Sequence, residues 1–200
     1  MKKTVIYIHG KGGNAVEAEH YRNLLKDYDV FGLEYTASTP WEAKEEIPEK
    51  FDSIADNYDS VILIANSIGA FFAMNALSDK RIEKAFFISP VVNMEKLICD
   101  MMTWAGVTEK ELEKKKTIPT DFGEDLSWEY LCYVRKNPIK WNAPTKILYG
   151  GKDNLTSYET VSEFAEKIGA ELVVMPGGEH WFHTDEQMGF LDEAVLKFIR

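Results

Sequence analysis

The sequence predicts an α/β protein built on a mostly parallel sheet that helices cover on both faces. Strand-like segments alternate with helix-like ones along most of the chain, and most of the strand-like segments are continuous apolar runs. Such runs are typical of parallel strands that are buried on both faces. The chain has 200 residues, of which 45% are hydrophobic. That length supports one sizeable core, so we expect a single domain over residues 1–200.

The individual elements follow from local patterns. Six strands, rich in β-branched and aromatic residues, are expected at 4–8, 30–34, 60–65, 84–88, 145–149 and 171–175. Helices are expected at 15–27, 41–57, 68–77, 157–168 and 185–200. Pro48 lies inside the second helix and predicts a kink or a break there. Gly169 is well placed to end the fourth.

The alternation of strands and helices stops between residues 91 and 143. Three helix-like segments follow one another there, at 93–104, 108–116 and 125–136. The stretch is too long and too apolar for a plain loop. We therefore expect a helical insertion that lies over one end of the sheet.

Composition and charge exclude several functional classes. The net charge of −10 and a sequence pI of about 5.0 argue against nucleic-acid binding. Cys99 and Cys132 fit no metal or redox spacing, so they are expected to be reduced thiols packed as small apolar groups and not metal ligands. No apolar run is long enough for a secretion signal or a membrane helix. These points predict a cytoplasmic protein with no nucleic-acid or membrane partner.

Ligands of open parallel sheets bind beyond the carboxyl ends of the strands. The segment Ala65-Asn66-Ser67-Ile68-Gly69 joins the third strand to its helix, so Ser67 falls on a sharp strand-to-helix turn. A serine at such a turn can present its hydroxyl as a nucleophile. It can equally cap the N-terminus of the following helix.

A serine nucleophile needs a base and a group that orients the base. His180 follows the sixth strand in a glycine-rich segment, and Asp153 follows the fifth. The order Ser67, Asp153, His180 is therefore the serine–acid–histidine order of a hydrolytic triad. His183 is a rival base, because one helical turn could exchange it for His180.

The oxyanion of an acyl-transfer intermediate needs two N–H donors. We expect them from the backbone of Ile68 and from the loop His9–Gly13, at the N–H of Lys11. An alternative reading of this loop is a phosphate-binding turn, but it lacks both glycine signatures of nucleotide sites.

Four residues are candidates for a substrate pocket: Gly10, Asn66, Met101 and Trp181. Phe182, beside Trp181, is a further candidate. Met101 belongs to an apolar face of the insertion, which could equally serve only to attach the insertion to the sheet.

The His9-Gly10 loop, the Ala65–Gly69 turn, the Gly151-Lys152-Asp153 loop and the Gly178-Glu179-His180 loop resemble those of the α/β-hydrolase superfamily, in a small form lacking its first two strands. The resemblance implies a three-layer α/β/α sandwich with strand order 2-1-3-4-5-6, and a lid formed by residues 91–143. It also implies hydrolysis of a carboxylic ester or thioester of a small molecule through an acyl-serine, without a cofactor. Ala65 stands where glycine is commoner.

The resemblance leaves other functions open. The chain could be a slow or inactive ligand-binding, receptor-like protein on the same fold. It could also be an acyltransferase, an amidase or a peptidase. The substrate and the oligomeric state are not predicted from the sequence.

Overall fold

The computed structural model describes residues 2–199. Strands alternate with helices over most of that range, as the sequence predicts. In chain order the elements are β1 (Lys3–Ile8), α1 (Ala18–Leu24), β2 (Asp29–Leu33), α2 (Pro40–Ala55), β3 (Ser60–Asn66), α3 (Ile68–Ala76), β4 (Lys84–Ile88), α4 (Met94–Trp104), α5 (Glu109–Lys115), β5 (Thr117–Ile118), β6 (Leu126–Ser127), α6 (Trp128–Lys136), β7 (Thr145–Gly150), α7 (Tyr158–Ile168), β8 (Glu171–Met175) and α8 (Asp185–Ile199).

Six strands form one parallel sheet in the order β2-β1-β3-β4-β7-β8. Counted along the sheet-forming strands alone, this is the predicted order 2-1-3-4-5-6, so the predicted fold class is confirmed. The carboxyl ends of β3, β4, β7 and β8 lie side by side along one edge of the sheet. Because all the strands are parallel, the loops that follow them are brought together at that edge.

The core lies on both faces of the sheet. Val5 and Tyr7 belong to a cluster shared with α1 and α8, whereas Ile6 and Ile8 alternate with them and face the other side. All four are at most 2% exposed, which explains why the strands read as continuous apolar runs.

Two predicted helices differ from the structure. The helix expected at 15–27 is a short 3₁₀ turn, Ala15–Glu17, followed by α1, which ends at Leu24. Helix α2 runs unbroken through Pro48, so of the kink or break that the proline predicted, the break does not occur. Ile47 and Phe51 are at most 1% exposed and anchor the helix on both sides of the proline, so packing holds the turn that lacks one backbone hydrogen bond.

Residues Asn93–Ile139 form a compact unit of their own, inserted between β4 and β7. The predicted bounds 91–143 are wider, because the flanking residues belong to the sheet-bearing unit: the N–H of Val91 donates to the carbonyl of Ser67, and Trp141 packs on Phe87. Within the insertion, Arg135 of α6 binds Glu95 of α4 and Glu109 of α5.

The third predicted helix of the insertion begins later than expected. Residues 125–136 were predicted as helix, but Leu126 and Ser127 pair with Ile118 and Thr117 in a two-stranded antiparallel sheet. Strands of two residues are too short to leave a periodic signature. Ser127 then caps α6 by accepting a hydrogen bond from the N–H of Tyr130.

None of the helices in residues 2–199 is both long enough and apolar enough to cross a bilayer.

Candidate active site

Ser67 lies at the turn between β3 and α3 in a conformation that few non-glycine residues adopt, with φ 51° and ψ −121°. Its side chain makes no capping hydrogen bond to α3, so it does not act as the helix cap that the sequence left open. The Ser67 hydroxyl oxygen instead lies 2.8 Å from Nε2 of His180. The turn therefore directs the hydroxyl away from the helix and toward an imidazole.

The same imidazole contacts a carboxylate through its other nitrogen. Nδ1 of His180 is 2.7 Å from Oδ2 of Asp153. A carboxylate can only accept, so Nδ1 carries the proton, and Nε2 of the neutral ring is an acceptor for the Ser67 hydroxyl. The three side chains predicted from the sequence thus form one continuous hydrogen-bonded line.

Asp153 is held by its own loop. Oδ1 accepts the backbone N–H groups of Leu155 (2.8 Å) and Thr156 (3.1 Å), and Oδ2 also accepts the Thr156 hydroxyl at 3.3 Å. The Asp153 side chain has no exposed surface. Thr156 was missed by the sequence reasoning, although an aspartate that accepts the amides two and three residues ahead is a recognised turn pattern.

The loop that carries Asp153 and the loop that carries His180 pack backbone against backbone. The N–H of Lys152 donates to the carbonyl of Gly178 at 2.8 Å. A side chain at Gly150 would place its Cβ 2.4 Å from the carbonyl oxygen of Glu179. Glycine at position 150 therefore permits the approach that brings Asp153 within reach of His180.

The glycine loop after β1 lies against the Ser67 turn. A Cβ at Gly10 would be 3.3 Å from Cβ of Ser67, and a Cβ at Gly69 would be 2.2 Å from the carbonyl oxygen of His9. This contact brings Gly10 and the neighbouring Lys11 close to the N-terminus of α3, where Ile68 is the first helical residue. The Nδ1 atom of His9 is 2.8 Å from the carbonyl oxygen of Gly10, in keeping with a role in ordering this loop.

His183 does not take the place of His180. The segment 180–184 is not helical, and Nδ1 of His183 lies 2.8 Å from the carbonyl oxygen of Trp181. The Trp181 ring is 70% exposed and stacks on the His183 ring at 4.9 Å. Phe182, which the sequence offered as a pocket residue, is instead buried in the core cluster with α8.

The remaining predicted pocket residues are separated in the chain. Asn66 ends β3 directly before Ser67 and lies within 4 Å of the position a Gly10 Cβ would occupy. Met101 lies in α4 of the inserted unit and is half-buried.

Residues 2–199 hold no group of three or more His, Cys, Asp or Glu side chains arranged to bind a metal ion.

Comparison of the sequence with known proteins gives one distant match. No family model matches the chain. The chain is 24% identical over 207 aligned residues to a protein of Phaeosphaeria nodorum that bears the name Hydrolase phmG. The match covers 94% of this chain and 43% of that protein, so the chain spans less than half the length of its relative.

Solved structures share the fold over nearly the whole chain. Alpha/beta hydrolase domain-containing protein 10 from mouse superposes with a TM-score of 0.80 at 16% identity, covering 98% of this chain and 89% of that one. Est1E from Butyrivibrio proteoclasticus gives 0.76 at 20% identity, covering 99% and 87%. At these identities the likeness establishes the fold and no more.

Proposed function

We propose that this chain, which has the α/β-hydrolase fold, is a serine hydrolase that cleaves a carboxylic ester or thioester of a small molecule. The observation that supports the proposal is the hydrogen-bonded line from the Ser67 hydroxyl through His180 to the buried carboxylate of Asp153. A hydroxyl becomes a competent nucleophile at neutral pH when such a base accepts its proton.

In the proposed reaction the Ser67 oxygen attacks the acyl carbon while Nε2 of His180 takes the hydroxyl proton. The resulting imidazolium passes that proton to the leaving alcohol or thiol as the tetrahedral intermediate collapses to an acyl-serine. Water then attacks the acyl-serine with His180 again as the base, which releases the acid and restores the hydroxyl. Asp153 keeps the ring in the correct tautomer and stabilises its charged form.

The negative oxygen of the intermediate needs donors that are already in place. We assign this role to the backbone N–H of Ile68, at the start of α3, and to that of Lys11 in the glycine loop. The position of Ile68 at a helix N-terminus adds a favourable dipole. The contact of Gly10 with Ser67 supports a loop close enough to supply the second donor.

The choice of ester or thioester is supported by the chemistry of the site and by the neighbours in fold. One solved form of Est1E has ferulic acid bound, and a thioesterase domain from the curacin biosynthetic pathway also shares the fold, with a TM-score of 0.62. Gly10, Asn66 and Trp181 remain the proposed pocket residues, and Met101, in the inserted unit, stays a prediction from the sequence. The net charge of −10 supports a small acyl substrate over a nucleic acid.

The test is covalent labelling with a fluorophosphonate probe, combined with hydrolysis of short p-nitrophenyl esters. Wild-type protein should be labelled at Ser67 and should hydrolyse the esters. Ser67→Ala should lose both, whereas Ser53→Ala, on the surface of α2, should keep both. Equal labelling of Ser67→Ala and wild type would reject the proposal.

Absence of hydrolysis and labelling in the wild type, together with thermal stabilisation by an acyl ligand, would favour the ligand-binding alternative. Transfer of the acyl group to an added alcohol or amine in preference to water would favour an acyltransferase.

A further inference from the structure

We propose that Glu17 and Tyr7 act as positioning residues that fix the place of the glycine loop, residues 10–14, relative to the Ser67 turn. We call this pair of side chains the loop clamp. The inference rests on the proposed function, because its effect on catalysis is exerted through the oxyanion donor that the loop supplies.

The two side chains of the loop clamp join β1 to the 3₁₀ turn that follows the loop, through one hydrogen bond. The Tyr7 hydroxyl donates to Oε2 of Glu17 at 2.5 Å, and Tyr7 is only 2% exposed. Burial, the neighbouring Tyr21 and the Glu17 carboxylate all raise the pKa of Tyr7. With its pKa raised, the phenol is protonated at neutral pH and can donate to Glu17.

Glu17 secures the far end of the loop through its other carboxylate oxygen. Oε1 accepts the backbone N–H of Asn14 at 3.3 Å, and the position of a Gly13 Cβ would be 2.5 Å from the same oxygen. The Asn14 side chain in turn accepts the N–H of Val16 at 2.9 Å. The end of the loop is thus packed on a carboxylate that is itself fixed to the sheet by Tyr7.

The near end of the loop is fixed by the residues that flank the nucleophile. Gly10 packs against Cβ of Ser67 and the carbonyl of Asn66. The Asn66 side chain is near enough to the Tyr7 hydroxyl to lower the Tyr7 pKa slightly, against the larger effects that raise it. Tyr7 therefore bonds to Glu17 at the far end of the loop and lies near Asn66 at the other.

Fixing both ends of a short loop determines where its middle can lie. Lys11, the proposed donor, is one of three residues between Gly10 and Asn14. An oxyanion donor must be held to within about half an ångström of its productive position. Loss of the clamp should therefore raise the barrier of the acylation step while leaving ground-state binding of the ester nearly unchanged.

The test compares kcat and KM for p-nitrophenyl acetate, and the rate of fluorophosphonate labelling, in three variants. Tyr7→Phe and Glu17→Ala should each lower kcat and the labelling rate about tenfold or more, with KM within about threefold. Glu17→Gln can keep both contacts, because its amide oxygen can accept the Asn14 N–H while its NH₂ group donates to the Tyr7 hydroxyl oxygen. Its kcat should therefore stay within about threefold of wild type. A fourth variant, which combines Tyr7→Phe with Glu17→Ala, should have a kcat no lower than that of the slower single variant, because both changes break the same contact.

Two controls separate positioning from loss of stability. Glu42 occupies the same capping-box position in α2 that Glu17 occupies in the 3₁₀ turn, and Tyr58 donates to Asp29 at 2.8 Å as Tyr7 does to Glu17. Glu42→Ala and Tyr58→Phe remove the corresponding hydrogen bonds away from the glycine loop and should leave kcat unchanged, with the melting temperature of every variant measured alongside.

Wild-type kcat in Tyr7→Phe would overturn the inference, as would a kcat loss in Glu42→Ala equal to that in Glu17→Ala. If Glu17→Ala cannot be purified, Tyr7→Phe against Tyr58→Phe decides the question alone. Ser67→Ala, measured alongside, reports separately on the proposed function: activity in that variant rejects the hydrolase, whereas normal kcat in the clamp variants rejects only the clamp.

Discussion

His180 and Asp153 meet through a 2.7 Å contact between Nδ1 and Oδ2, and the Asp153 side chain has no exposed surface. Asp153→Asn should preserve the shape of the loop, because the amide oxygen can still accept the N–H groups of Leu155 and Thr156. The amide NH₂ group would then face Nδ1 and favour the wrong tautomer of the imidazole. We expect kcat for a p-nitrophenyl ester to fall on the order of 10³- to 10⁴-fold.

The matched control is a second histidine–aspartate pair in the same unit. His20 lies 2.6 Å from Asp192, between α1 and α8. Asp192→Asn should leave kcat unchanged. A normal rate in Asp153→Asn would mean that Asp153 does not orient the base.

The two histidines near the end of β8 make opposite predictions. His180→Ala should reduce fluorophosphonate labelling by more than about a thousandfold, because the Ser67 hydroxyl loses its proton acceptor. His183→Ala should stay within about threefold of wild type, because its Nδ1 atom is engaged with the carbonyl of Trp181. Greater loss in His183→Ala than in His180→Ala would reverse the assignment of the base.

Gly69 and Gly189 are glycines in helices with opposite surroundings. A Cβ at Gly69 would lie 2.2 Å from the backbone oxygen of His9, whereas a Cβ at Gly189 in α8 meets nothing within 4 Å. Gly69→Ala should lower the free energy of unfolding by about 2–3 kcal/mol, because two backbone segments would have to separate. Gly189→Ala should raise it by about 0.5–1 kcal/mol through helix propensity.

Urea denaturation of both variants measures these two changes directly. Equal effects of the two substitutions would contradict the close approach of the glycine loop to α3.

Glu83 provides a pH-dependent contribution to stability. The Ser60 hydroxyl and the Lys3 ammonium donate to its carboxylate, and these bonds hold the pKa of Glu83 below its ordinary range despite partial burial. A pKa that is lower in the folded state stabilises the fold above the unfolded-state pKa, and this stabilisation is lost as the pH falls through the folded value.

Glu83→Gln should therefore be less stable than wild type at pH 7. Because the pair is about one-third exposed, solvent screening should keep the deficit below about 1 kcal/mol. Thermal unfolding followed from pH 7 to pH 3 should show the deficit shrinking below about pH 4. A deficit that grows as the pH falls would contradict the interpretation.

Much of the fold was accessible from sequence because buried parallel strands have a simple signature. The strands at 84–88 and 171–175 were predicted with the bounds that the structure has. A break at Pro48 does not occur, because the local effect of the proline is outweighed by the burial of Ile47 and Phe51, which only the tertiary structure reveals. The hairpin of β5 and β6 was missed, because two residues cannot show a period.

The candidate site was also predictable only in part from the sequence. Strand ends placed Ser67, Asp153 and His180 near one another, and the structure joins them by hydrogen bonds. Thr156 was missed although its contact with Asp153 follows a local turn pattern. The loop clamp could not be predicted, because it depends on a side-chain contact between segments that hydrophobic periodicity does not relate. Phe182 was assigned to a pocket from its neighbourhood in sequence, whereas its side chain turns into the core.

The separation of Ser67 from His180 by 113 residues has a consequence for the order in which the chain folds. Each sheet pairing joins distant stretches of chain, and such pairings form slowly because long loops must close first. Ser67 cannot meet His180 until β8 has paired with β7 and brought His180 to the carboxyl ends of the strands. The reactivity proposed for Ser67 should therefore appear only after that pairing, so a refolding chain would acquire its secondary structure before the Ser67 hydroxyl meets the imidazole.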